Sequence, residues 1–137
     1  MAFDPSRDYP LGTRRPDLVS TPGGVPLGDV TLEAIRAGTV GGDDIRATPA
    51  TLRLQAEVAR AAGRTQLAES LERAAELAAV PDGLLLDVYT ALRPRRASAA
   101  ELEEWAARLE GHGAVKTAAF VRQAAEAYAE RRLLADG

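Results

Sequence analysis

The sequence contains no cysteine, which excludes disulfides and thiolate metal sites. Its only histidine, His112, lies between Gly111 and Gly113. A zinc site would have to be built from that one imidazole and carboxylates. A nucleophile–histidine pair would have to pass through the same residue, whose glycine neighbours mark a connection between helices. Aromatics make up only 4% of the chain, and much of its 46% hydrophobic fraction is alanine. Alanine favours helix but buries little area. The core therefore rests on leucines and valines, with Trp105, Phe120 and Tyr128 as the few large anchors. No apolar run approaches the ~20 residues of a membrane span, and "MAFDPSRDYP" has no apolar signal region. The expectation is a soluble cytoplasmic protein. A net charge of −3 argues against a general binder of nucleic acid or membrane surfaces.

A chain of 137 residues is of single-domain size and buries roughly two-thirds of its unfolded surface on folding. Its first thirty residues differ from the rest. Pro5, Pro10, Pro16, Pro22 and Pro26 fall there, with Gly12, Gly23, Gly24 and Gly28 between them. Each proline fixes φ and lacks a donor, so no regular helix is expected in this part. Phe3, Tyr9, Leu11, Leu18, Val19, Val25 and Leu27 are spread along it. Residues 1–30 read as an extended arm whose apolar side chains lie on another surface.

From Thr31 the period becomes helical, and residues 31–137 read as one helical domain. Thr31 is an N-cap and Gly38 a stop for a short first helix. "GGDDIRA" is a loop. In "TPATLRLQAEVARAAG", Thr48 caps, Pro49 opens the helix and Gly63 ends it. The segment "RTQLAESLERAAELAAVP" follows, with Thr65 as cap and Leu67, Leu71, Ala74, Ala75 and Ala78 on one face. Asp82 caps "GLLLDVYTALR", with Leu85, Val88, Tyr89 and Leu92 inward. Ser98-Ala99-Ala100-Glu101 has the form of a capping box. Leu102, Trp105, Ala106 and Leu109 follow it at amphipathic spacing. A last helix from about Ala114 to Leu134 brings Phe120, Val121, Ala124, Ala125 and Tyr128 together. No strand-like alternation occurs after residue 30. The expected fold is all-α: about six short-to-medium helices in a compact bundle, preceded by the arm.

None of the usual catalytic signatures is present: no G-x-G-x-x-G after a strand, no phosphate-binding loop, no H-E-x-x-H and no G-x-S-x-G. Asp43 and Asp44 lack the spacing of a calcium loop. Glu101, Glu103 and Glu104 suit the first turn of a helix. No catalytic, cofactor-binding or metal-binding residue is expected on this chain. The remaining feature is "ALRPRRAS", where Arg93, Arg95 and Arg96 surround Pro94 between two helices. Nucleic-acid binding would want a broader basic face with stacking aromatics. Forked guanidinium groups on a rigid corner suit carboxylates or carbonyls of a protein partner.

"DYPLGTRRPDLVSTPGGVPLGDVTLEAIRAG" resembles the N-terminal part of the small (gamma) subunits of adenosylcobalamin-dependent diol and glycerol dehydratases. It has their Tyr-Pro-Leu segment, Thr-x-x-Gly turn and Asp-Val-Thr-Leu-Glu helix start. The central block is similar as well, with Gln55-Ala56, Gly63-Arg64, Arg73-Ala74-Ala75-Glu76-Leu77, Pro81-Asp82 and Tyr89-Thr90-Ala91-Leu92-Arg93-Pro94. So is "AAFVRQAAEAYAERRLL" near the C-terminus. Gln123 and Thr117 depart from the pattern, which favours an acid and an asparagine there.

The resemblance implies a helical, non-catalytic subunit. It implies large and medium subunits as partners, with two copies of each in the complex. Substrate and metal would bind in the large subunit, with adenosylcobalamin between large and medium subunits, and the complex would convert 1,2-propanediol or glycerol to an aldehyde and water. Some small subunits carry a longer N-terminal extension associated with packaging into protein shells. This chain begins close to the matching region, which argues against such packaging. The surfaces expected to meet the large subunit are the arm (Tyr9, Leu11, Arg14, Leu18) and the corner (Arg93, Pro94, Arg95, Arg96). The alternatives are a free-standing helical module that binds protein or nucleic acid, and a homo-oligomeric scaffold.

Overall fold

The computed structural model describes residues 2–136. Its α-helices are α1 (Leu11–Arg14), α2 (Leu32–Ala37), α3 (Pro49–Ala61), α4 (Thr65–Leu77), α5 (Asp82–Ala91), α6 (Ala99–Gly111) and α7 (Val115–Arg131). Among the described residues there is no strand, only an isolated antiparallel bridge between Ser20 and Pro26. The all-α expectation holds. The chain divides into two compact units after Ala78, inside the stretch expected to form one helical domain.

In the first unit, α3 and α4 form a hairpin. Thr48 accepts the Thr51 N–H at 3.1 Å, and Pro49 takes the first helical position, where its missing donor costs nothing. Gly63 turns the chain at φ 74°, a left-handed conformation that glycine adopts without strain. The seam is lined by Ala56, Ala59 and Ala68, with Leu71 against them. Arg60 and Glu72 close one side with an ion pair at 2.8 Å. The predicted Thr65 cap is not used: Thr65 is already helical, and Arg64 precedes it without a side-chain cap. The buried stripe of α4 runs through Ala68 and Ala75, leaving Leu67 exposed.

The leader departs from an extended arm. It is a succession of turns: α1, then 3-10 turns at Pro16–Leu18 and Leu27–Asp29. Prolines do not prevent this, because Pro10 precedes α1 and Pro16 opens its own turn, so neither removes a needed donor. The side chains of Asp8 and Arg15 hold the first turns together. Asp8 accepts from Arg7 Nε at 3.0 Å, from the Asp4 N–H at 3.0 Å and from Arg15 Nη1 at 3.2 Å. Arg15 also donates to Asp17 through Nε and Nη2. Farther on, the buried Thr21 donates its hydroxyl to Asp44 Oδ1 at 3.0 Å and accepts the Val25 N–H. A Cβ on Gly23 would come within 2.8 Å of the same Asp44 oxygen. A side chain at position 23 would have to displace the Asp44 carboxylate to which Thr21 donates. Thr31 caps α2 by accepting the Ala34 N–H, and Gly38 ends it at φ 74°, as expected.

In the second unit, Val80, Leu84 and Val88 of the α5 region meet Leu102, Ala106 and Leu109 of α6 and Ala114, Ala118 and Val121 of the α7 region. Leu85, Leu92, Trp105, Ala125 and Tyr128 pack at the margin. The capping box is present: Ser98 Oγ accepts the Glu101 N–H at 3.3 Å, and Glu101 Oε2 accepts the Ser98 N–H at 2.7 Å. Two expected core anchors face out instead. Tyr89 and Phe120 are exposed, because the buried stripes run through Leu84 and Val88 on α5 and through Ala118 and Val121 on α7. Nor does Asp82 act as a cap: it is the first residue of α5, and Pro81 precedes it.

Candidate subunit interface

The three-arginine corner is built by the ends of α5 and α7. After the cap at Leu92, the Arg93 N–H reaches the Thr90 carbonyl. Arg95 is left-handed, at φ 62°. Its N–H donates to the Leu133 carbonyl at 2.7 Å, and the Ala135 N–H donates to the Ala97 carbonyl at 2.9 Å. The Tyr128 hydroxyl fixes the Leu92 carbonyl. The backbone of the corner is thus held from Leu92 to Ala97, while Arg93, Pro94, Arg95 and Arg96 are all exposed. A left-handed non-glycine residue costs on the order of 1 kcal/mol. What Arg95 offers at that position is its guanidinium.

Beside the corner lies a shallow hollow of about 330 Å³, lined by Asp87, Thr90, Arg96, Glu101 and Trp105 among others. Arg108 stacks over the Trp105 ring at 4.6 Å. Arg122 on α7 clamps α6. It reaches Glu103 at 2.7 Å and Glu110 at 2.5 Å. The Arg122 hydrogen bonds hold both carboxyls below their ordinary range, and Glu103 and then Glu110 hold the guanidinium well above its own. The sequence reading missed this clamp, whose partners are 19 and 12 residues apart.

The arm residues separate. Tyr9 is 57% exposed and borders an open hollow of about 580 Å³ on the α3–α4 hairpin, lined by Val58, Leu67 and Leu71 among others. Arg14 is exposed and Leu18 half-buried. Leu11, expected at the interface with the others, is only 6% exposed in the chain by itself. Asp8, the anchor next to Tyr9, is lowered to about 2, first by the hydrogen bond from Arg7 and then by the Asp4 N–H.

Among the described residues, no group of three or more His, Cys, Asp or Glu side chains is arranged to hold a metal ion. No helix there is long and apolar enough to cross a membrane.

Comparison with known proteins places this geometry. The family model described as "Dehydratase small subunit" matches residues 5–135. The propanediol dehydratase small subunit of Citrobacter freundii is 50% identical over 128 residues, covering 93% of this chain and 74% of the relative. That of Salmonella typhimurium (strain LT2) is 49% identical over the same shares. With its helical hairpins and pinned cationic corner, this chain belongs to the dehydratase small-subunit family.

Proposed function

We propose that this chain is the non-catalytic small subunit of an adenosylcobalamin-dependent diol dehydratase, and that it binds and stabilises the large subunit. The complex, with two copies each of large, medium and small subunits, converts a 1,2-diol such as 1,2-propanediol to the aldehyde and water in the cytoplasm. The observation that carries this reading is the 50% identity over 93% of the chain to a propanediol dehydratase small subunit. The radical chemistry is the cofactor's, bound between the companion subunits. This chain supplies rigidity and cationic contacts. The exposed arginines at the pinned corner and Tyr9 beside the hairpin hollow are preorganised for a partner, since little order is lost when a held backbone docks.

The test is reconstitution. Large and medium subunits are purified with and without this chain, loaded with adenosylcobalamin, and assayed for propanal formation from 1,2-propanediol. The expected result is a complex containing all three chains, with an active lifetime that falls when this chain is omitted. Aldehyde formation by this chain alone, or failure of the wild-type chain to enter the complex, would overturn the proposal.

A further inference from the structure

Helix α5 is apolar on both sides. Leu84 and Val88 are buried in the chain's own core, yet Leu86 is 66% and Tyr89 59% exposed on the opposite side. At 100° per residue, Asp82, Leu86 and Tyr89 share that outer side, and the exposed Arg93 follows just past the C-cap at Leu92. The Thr90 hydroxyl donates to the Leu86 carbonyl at 2.9 Å, which engages its hydrogen with its own helix. The strip thus runs for about 15 Å from an acid, through two large apolar side chains, to the arginine corner. A helix apolar all round is characteristic of a buried element. This chain covers half of it.

We propose that the Leu86–Tyr89–Arg93 strip is the docking element for the large dehydratase subunit, whose matching surface is an apolar seat ending in carboxylates. The inference rests on the subunit reading above and adds to it the surface and the chemistry of the partner. Charge decides between occupants. A second copy laid antiparallel would set Arg93, Arg95 and Arg96 against Asp82, leaving an excess of positive charge at both ends. An acid-bearing surface neutralises the cluster, while Tyr89 and Arg93 are of the types that dominate interface energetics. Among the described residues, none of these three guanidiniums makes an ion pair of its own.

The experiment uses the full-length tagged chain, co-expressed with its large and medium subunits. Three variants are compared with wild type: L86S/Y89S, R93E/R95E and, as a control at an equally exposed apolar position on α7, V115S. Thermal melting of each isolated chain verifies that it folds. The expected result is a weakening of association by about tenfold or more for each double variant, with V115S like wild type. A wild-type complex that tolerates both double variants, or that V115S weakens equally, overturns the strip while leaving the subunit reading intact. Absence of any complex with wild type overturns the subunit reading as well. A homodimer of the isolated chain that L86S/Y89S abolishes would assign the strip to a second copy and overturn the inference.

Discussion

The hydroxyl of Tyr128 donates to the Leu92 carbonyl at 2.5 Å, joining residues 36 positions apart. It ties α7 to the last carbonyls of α5, where a helix end would otherwise leave an acceptor unmatched. Replacing Tyr128 with Phe keeps the ring and removes the bond. The expected cost is about 1 kcal/mol, read by urea denaturation, together with faster amide exchange at Arg93 and Arg95. Unchanged exchange at these amides would mean that the hydroxyl does not hold the corner.

Arg95 should show opposite effects on folding and on assembly. Arg95→Gly removes the left-handed penalty, so stability should be unchanged or rise by up to about 1 kcal/mol. The same variant should bind the companion subunits less tightly. A variant that loses stability without losing binding would show that the guanidinium serves the chain's own fold.

The second unit depends on few large side chains. Leu109 is fully buried, and Leu109→Ala should cost about 2–5 kcal/mol through lost burial and the cavity left behind. Leu86→Ala, on the outer side of α5, should stay within about 0.5 kcal/mol in the isolated chain. Equal losses in chemical denaturation would contradict the inward and outward assignment of these leucines.

Asp8 should make the leader acid-sensitive. Its carboxyl titrates at about 2 in the folded chain against an ordinary 3.8. A depressed folded value means that its contribution is fully present above about pH 4 and is lost as pH falls towards 2. The difference in melting temperature between wild type and Asp8→Asn should shrink over that window. Asp17, lowered by Arg15, titrates in both proteins and leaves the comparison sound. An Asp8 carboxyl carbon titrating near 3.8 by NMR would refute the arrangement.

The starts at Thr31, Thr48 and Ser98 were legible in the sequence, because a cap is written in the side chain that makes it and the amide two or three residues on. Thr65 and Asp82 carry the same chemistry and do not cap, since Arg64 and Pro81 precede the helices and both residues are drawn inside. Tyr89 was placed on the wrong side because Leu84-Leu85-Leu86 gives α5 two apolar stripes. Only packing against α6 and α7 selects Leu84 and Val88. The folded leader was hidden for a similar reason: the Thr21–Asp44 bond joins residues 23 apart, with no local signal. Of the residues singled out from sequence, Arg93, Pro94, Arg95 and Arg96 are exposed and Leu11 is buried, and the exposure of Leu86 was not foreseen.

Between α3 and α4, Ala56 and Ala68 act as a spacer set back from the hollow. Ala56 and Ala68 are almost wholly enclosed, so the two rods are separated by little more than methyl groups, and any larger residue there must push them apart rather than fill a gap. Widening that separation would reshape the flanking hollow beside Tyr9 without altering any residue on its rim. The gauge of this groove is therefore written in side chains that no visitor to it would ever touch.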